Sequence, residues 1–179
     1  MKIFAETDRI ILRELSLEDA PLMFKMDSDP EVHKYLGNKP FQHISESEDN
    51  IRFIRDQYVE NGIGRWAVVD KESKEFVGWG GLKFITTAIN DRNHFYEVGY
   101  RFLKEHWGKG YATESAKASL KYAFEEMNLE IVYAMAHGEN AGSRHALQKS
   151  GLKITGHFDH EGIKCDWFEI SKADWLALY

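Results

Sequence analysis

The sequence predicts an α/β protein built on a mixed, mostly antiparallel sheet of six to seven strands, with helices on both faces. Three observations carry this. Short runs rich in β-branched and aromatic residues alternate with amphipathic stretches in the order β-α-α-β-β-β-α-β-α-β-β. Ile131-Val132-Tyr133-Ala134-Met135-Ala136 is apolar at every position, as a strand covered on both faces would be. The chain has 179 residues, 43% of them hydrophobic, with no repeat, low-complexity tract or linker, so one domain spanning 1–179 is expected.

In chain order, Arg9 to Leu15 reads as a first strand. Ser16, with Asp19 three residues on, reads as the start of a helix running to about Asp27, and Asp29-Pro30 as a second helical start. Ser45 to Glu60 is a longer amphipathic helix with Ile51, Ile54 and Tyr58 on one face, stopped by Asn61-Gly62. Arg65–Asp70, Glu75–Ile85 and Arg92–Leu103 follow as strands, with Lys71 to Lys74 turning between the first two. The middle one carries Gly78, Gly80 and Gly81, which in a strand imply a bulge or a close approach. Tyr111–Met127 is helical, Ile131–Ala136 a strand, and Ala141–Lys149 a helix stopped by Gly151. Leu152–Phe158 and Lys164–Ile170 close the chain as a hairpin around Glu161-Gly162.

Composition excludes several classes. No apolar run reaches the length of about 18 residues that a membrane helix needs, and the N-terminus lacks a signal-peptide core. Cys165 is the one cysteine, so there is no intrachain disulfide or multi-cysteine zinc site; no metal is expected, and a cytoplasmic location is. The net charge is −6, and residues 1–60 hold thirteen Asp and Glu against eight Lys and Arg. That balance argues against nucleic acid. An acidic lobe would attract a cationic substrate such as an amine, unless its carboxylates serve only to solvate helix faces.

The segment His106-Trp107-Gly108-Lys109-Gly110-Tyr111-Ala112-Thr113-Glu114 is the most specific in the chain. Two glycines stand where a strand gives way to a helix. They let the backbone approach a ligand, and the helix start adds unpaired N–H groups and partial positive charge. Such a turn holds a diphosphate without a charged side chain. A dinucleotide fits poorly: only part of G-x-G-x-x-G is present, and the acid expected about 20 residues on is absent from the end of the next strand. A Walker loop is absent.

Three motifs then occur in order: Glu97-Val98-Gly99-Tyr100; Trp107-Gly108-Lys109-Gly110-Tyr111-Ala112-Thr113-Glu114; and Asn140-x-x-Ser143-x-x-x-Leu147-x-Lys149-x-Gly151-Leu152. Together they resemble the GNAT acyltransferases, most closely the branch that includes the ribosomal-protein N-acetyltransferases RimJ and RimL. The resemblance implies that acetyl-CoA is the cosubstrate and that its diphosphate is held by Trp107, Gly108, Lys109, Gly110, Tyr111, Ala112 and Thr113. It implies that main chain at Phe102 and Leu103 pairs with the pantetheine arm and that Asn140 fixes a pantetheine amide. It also implies a sheet splayed between Arg92–Leu103 and Ile131–Ala136, the fourth and fifth strands. The acceptor then enters from the opposite side, where Met26, Tyr35, Trp66, Trp79 and Tyr96 are candidate walls. A homodimer is plausible by the same resemblance.

Acyl transfer from a thioester to an amine needs a base for the amine, a donor for the carbonyl oxygen, and a proton for the departing thiolate. Glu97, partly desolvated between Tyr96 and Val98, is the expected general base; the competing reading is a carboxylate paired with an arginine. His94 and His137 are rivals by their unperturbed titration range. A backbone N–H near Tyr100–Phe102, at a bulge beside Gly99, would stabilise the oxyanion. In many relatives a Tyr seven residues after the Asn serves as general acid; here that position is Leu147, and Ser143 is the substitute in RimL-like sequences. Ser143 is therefore expected to act as acid and to touch the cosubstrate. Cys165 has no activating base nearby in sequence and reads as a core thiol. The expected activity is an N-acetyltransferase acting on a peptide N-terminus or small amine, the alternative a non-catalytic acyl-CoA-binding module.

Overall fold

The computed structural model describes residues 1–178. One eight-stranded sheet runs in the order β1-β2-β3-β4-β5-β6-β8-β7. The strands are β1 (Ile3–Glu6), β2 (Ile10–Arg13), β3 (Arg65–Asp70), β4 (Phe76–Ile85), β5 (Phe95–Phe102), β6 (Ile131–His137), β7 (Lys153–His160) and β8 (Ile163–Ser171). All neighbours are antiparallel except β5 and β6, which run parallel and meet at one register pair, Glu97 opposite Tyr133. The two strands share no other register pair. The fork expected between the fourth and fifth predicted strands is therefore present, here between β5 and β6.

The helices are α1 (Ala20–Asp27), α2 (Pro30–His33), α3 (Ile44–Glu60), α4 (Tyr111–Lys121), α5 (Ala141–Lys149) and α6 (Lys172–Leu176). On one face, Met23 and Met26 of α1 and Ile51 and Ile54 of α3 pack with Leu15, Ala67 and Leu103. On the other, Leu120 of α4, Leu147 of α5 and Trp175 of α6 share a core with Trp66, Val68, Val98 and Phe102. Lining both faces with apolar surface is what makes the central strands read as continuous hydrophobic runs. A third cluster joins Ile85 of β4, Phe95 of β5, Tyr133 of β6 and Trp167 of β8.

The three glycines of β4 permit close contact. A Cβ at Gly78 would lie 2.3 Å from the Arg101 carbonyl oxygen, and one at Gly80 would lie 3.1 Å from Ser115 Oγ on α4. The β3–β4 register also slips between Val68 and Val69, so the strand has both a bulge and tight neighbours.

Several elements depart from the sequence reading. The sheet has eight strands instead of six to seven, because Ile3–Glu6 adds an edge strand on β2. Four residues are too few to show a period, and tertiary pairing supplies what the pattern lacks. The helix at Ser16 begins as a 3-10 turn over Leu17–Asp19. Asp19 Oδ2 accepts from the Ser16 amide at 2.9 Å, while Ser16 Oγ has no hydrogen-bond partner among the described residues, so the cap is made by the Asp19 carboxylate. The helix expected over Tyr111–Met127 is α-helical to Lys121 and then widens into a π-turn over Tyr122–Glu126. The fourth predicted strand starts at Phe95, not Arg92, because His94 takes a left-handed φ of 54°. The short helix α6 follows β8 directly. Gly62 (φ +70°) and Gly151 (φ +99°) take the left-handed conformation expected of helix stops.

Candidate acyl-transfer site

The glycine turn lies between the fork and α4. Gly108 (φ +73°) and Gly110 (φ +84°) are both left-handed, and Gly110 is the N-cap of α4. Glu114 closes the first intrahelical bond, to Gly110 O at 3.0 Å, so the amides of Tyr111, Ala112 and Thr113 have no intrahelical acceptor. Nothing lies within 4 Å of where a Cβ on Gly108 would sit, which leaves that side of the turn open for a ligand. The turn is braced from behind. Arg9 donates to Lys109 O (2.9 Å) and to Glu114 Oε2 (2.7 Å), and Thr7 Oγ1 donates to Glu114 Oε1 (2.6 Å). Tyr111 OH donates to Asp70 Oδ2 at 2.8 Å. Hydrogen bonds from Ser73 and Tyr111 pull Asp70 down to about 2. The turn is thus a fixed cradle of amides, suited to a diphosphate by geometry and by the helix dipole.

Trp107 Nε1 donates to Phe102 O at 2.9 Å, which ties the turn to the end of β5. Leu103 N donates to Val77 O (3.1 Å) and Leu103 O accepts from His106 (2.9 Å), so Leu103 spends its main chain on β4 and on the turn. Alternation along an antiparallel pair then turns the main chain of Val98, Tyr100 and Phe102 toward the fork. An extended arm lying in the fork would find a donor and an acceptor at Tyr100 and a donor at Phe102, whose carbonyl already accepts from Trp107, and less at Leu103. The bulge expected beside Gly99 is absent: the β4–β5 register is unbroken from Gly78 to Ile85. Gly99 instead makes room for a side chain.

That side chain is Arg65, at the start of β3 and 7% exposed. Its Nη2 donates to Glu97 Oε2 at 2.6 Å, and its Nη1 donates to Gly81 O (2.7 Å) and Glu97 O (2.9 Å). Glu97 therefore sits at the junction of the fork as the partner of a buried guanidinium, which is the competing reading of this residue. Among the described residues no group hydrogen-bonds its Oε1, and 13% of the side chain stays open. Lys83 stands opposite Glu97 in register; burial first, then Arg65, push its ammonium below the usual range.

Asn140 is the N-cap of α5 and accepts from Ser143 N at 3.1 Å. Ser143 also meets β5: Tyr100 OH donates to Ser143 O at 2.9 Å and lies 3.3 Å from Ser143 Oγ. Burial pushes the Tyr100 phenol up to about 12, so it stays protonated across the working range. Leu147, where many relatives carry a Tyr, is buried. The phenol beside Ser143 thus comes from β5, not from α5.

The other candidates fall elsewhere. His94 is on the loop before β5, against Phe84 (5.9 Å). His137 ends β6, meets the Tyr35 ring in a tilted contact (5.0 Å) and accepts from Glu139 N through Nδ1. Met26 and Trp66 are fully buried, so neither walls an open acceptor site. Trp79 lies between the guanidinium groups of Arg65 (5.4 Å) and Arg101 (5.0 Å), and Tyr96 packs on Phe84 (4.9 Å). Arg101 pairs with the fully buried Asp27 at 2.6 Å, which also meets His33 at 3.3 Å. Burial and Arg101 push His33 down. Many acidic residues of the first sixty are engaged this way: Asp19 with Arg13, Asp27 with Arg101, Glu31 with Lys104, and Asp29 and Glu46 as caps. Sequence reasoning passed over Arg65, Arg101 and the Tyr100 hydroxyl. The available signal was a charged residue at the head of the otherwise apolar run Trp66-Ala67-Val68-Val69.

A cavity of about 400 Å³ lined by Lys34, Asn38, Lys39, His137 and Glu161 separates the loop after α2 from the β7–β8 turn. Among the described residues no cluster of three or more His, Cys, Asp or Glu is placed to hold a metal, and no helix is long and apolar enough to cross a membrane.

A forked sheet with an amide cradle at one mouth and a carboxylate at its junction defines an acyl-carrier enzyme. Residues 9–153 match the family described as acetyltransferase (GNAT) domain, and the chain belongs to that family of acyltransferases, which use acetyl-CoA. It is 36% identical over 173 residues to the uncharacterized N-acetyltransferase p20 of Bacillus licheniformis, covering 97% of this chain and 91% of that one. A GNAT-family acetyltransferase from Bacillus anthracis superposes with a TM-score of 0.76 at 27% identity, covering 97% and 99% of the two chains. Spermidine N-acetyltransferase from Vibrio cholerae, solved with CoA and spermine, shares the fold at a TM-score of 0.74 and 21% identity, covering 95% and 99%.

Proposed function

We propose that this chain, as one domain spanning 1–179, transfers acetyl from acetyl-CoA to a primary amine by direct attack in a ternary complex. The observation that carries the reading is the continuity of one track. It runs from the open amides of Gly108–Thr113, along the fork-facing main chain of Phe102 and Tyr100, to Glu97 at the junction. Trp107 braces the track, Lys109 O is held by Arg9, and Asn140 caps the helix that closes its far side.

In this mechanism Glu97 takes a proton from the amine through Oε1 and later returns it to solvent. The nitrogen lone pair forms the C–N bond, and the Tyr100 N–H faces the developing oxyanion. The C–S bond breaks, and the thiolate takes the Ser143 Oγ proton as Ser143 takes one from water, the Tyr100 phenol staying protonated and holding Ser143 O. The acceptor is a protein N-terminus or a small amine, and the Trp at position 107 supports the RimJ/RimL-like branch. A homodimer and a cytoplasmic location belong to the same proposal; light scattering in solution tests the first.

The test is a panel of amines with acetyl-CoA, read as free thiol: N-terminal alanyl and seryl peptides, spermidine, an amino sugar and free amino acids. Turnover with at least one and saturable acetyl-CoA binding by titration calorimetry are expected. In Glu97→Gln, turnover falls by about 10²–10⁴-fold, with acetyl-CoA binding kept. Unchanged turnover and an unchanged pH–rate profile in that variant would remove Glu97 as base. Acetyl-CoA binding without transfer to any amine would leave the non-catalytic binding module as the reading.

A further inference from the structure

We infer that Arg65 is a positioning residue for the transfer: it fixes the Glu97 carboxylate by one oxygen so that the other is presented at the fork. This rests on the reading of Glu97 as base. Three features make the geometry specific. First, the guanidinium is spent on three acceptors at once, Glu97 Oε2, Glu97 O and Gly81 O. Two of these belong to Glu97 itself, so both the side chain and the backbone of that residue are held. Second, the slot is built for it. Gly81 and Gly99 are register partners on β4 and β5, and a Cβ on Gly99 would lie 2.7 Å from Arg65 Nη2 and 2.9 Å from Cζ. Any larger residue at 99 expels the guanidinium. Third, the base of the side chain is fixed as well: Arg65 O accepts from Tyr58 OH, which in turn accepts from Leu15 N at 3.1 Å, and Trp79 stacks 5.4 Å from the guanidinium.

The consequence for chemistry is directional. Oε2 is held, so Oε1 is left to receive a proton from an arriving amine. A free glutamate would sample several rotamers and spend only part of its time in line with the attack. Holding a catalytic group within a fraction of an ångström is worth up to about 10²-fold in rate. Arginine serves best: its planar fork reaches three acceptors at once, while a lysine ammonium in the same slot is a point donor that holds fewer of them.

The test is a double-mutant cycle of Arg65→Gln and Glu97→Gln, assayed with acetyl-CoA and the best amine of the panel. Arg65→Gln is expected to lower kcat about 10–100-fold while leaving the KM for acetyl-CoA within about twofold, because Arg65 touches no part of the cradle. In the Glu97→Gln background the same change costs less than about threefold, since there is no base left to position. Arg65→Lys restores part of kcat, and Gly99→Ala, which keeps Arg65 but fills its slot, reproduces the loss. A purely structural Arg65 gives equal losses in both backgrounds, or a fall in kcat that tracks melting temperature and acetyl-CoA affinity; either overturns the inference. If Arg65→Gln does not fold, Gly99→Ala, whose Cβ displaces the guanidinium, carries the same cycle. Failure of the Glu97 assignment shows differently: Glu97→Gln alone then keeps wild-type turnover.

Discussion

Gly78→Ala tests how tightly the cosubstrate track is built. Gly78 pairs in register with Phe102, the last residue of β5. A Cβ there would lie 2.3 Å from Arg101 O, 2.6 Å from Phe102 Cδ1 and 2.8 Å from Phe102 Cα. Two of these three are main chain and cannot swing aside, so β5 must retreat by about 1 Å to restore ordinary contact. Overpacking of this kind costs about 1–3 kcal/mol, offset by roughly 0.4–1 kcal/mol because alanine restricts the unfolded chain. At about 2–4 °C per kcal/mol for a protein of this size, a loss of several degrees in Tm is expected. Gly80→Ala is the control: its Cβ meets Ser115 Oγ at 3.1 Å, a side-chain atom on α4, and the strand pairing is untouched. Thermal melts read the stability, and calorimetric titration with acetyl-CoA reads the track, since Phe102 moves with β5. Gly78→Ala is expected to lose both and Gly80→Ala to lose less of each. A Gly78→Ala protein that melts within 1 °C of wild type and binds acetyl-CoA unchanged would refute the claim that this crossing is close-packed.

Gly108→Ala has open space around its Cβ but keeps a φ of +73°, so its cost is conformational, about 1–2 kcal/mol. The protein should fold and bind acetyl-CoA about 5–30-fold more weakly; unchanged affinity would mean the amides of this turn are not the diphosphate site. Asp70 titrates at about 2 in the folded protein against an ordinary value of 3.8, so its contribution to stability is present above pH 4 and is lost as pH falls toward 2. Urea midpoints of Asp70→Asn should therefore vary less than those of the wild type between pH 4 and 2, and parallel curves would count against the hydrogen bonds that Ser73 and Tyr111 give to Asp70.

Much of the fold was legible because its signals are local. Gly62 and Gly151 stop helices through their own φ, and Asn140 caps α5 three residues from the amide it accepts. The β7–β8 turn at Glu161-Gly162 takes the two positive φ values its dipeptide suggests. Where the sequence reading missed, the deciding contact lay far off in the chain. The edge strand Ile3–Glu6 exists because β2 offers it a free edge. Gly99 read as a bulge, but it is the floor of a slot for a side chain from another strand.

The chain by itself determined the glycine turn before α4, the caps, the order of elements and the family resemblance, since each is written in neighbouring residues and their dihedral preferences. Only the tertiary structure decided what Glu97 touches. Arg65 is 32 residues away, and no periodicity reports a pairing that arises when β3, β4 and β5 align in one register. The fork is likewise a property of the assembled sheet: β5 and β6 come from segments separated in the chain by α4 and share a single register pair, Glu97 opposite Tyr133, which no local pattern in either segment reports.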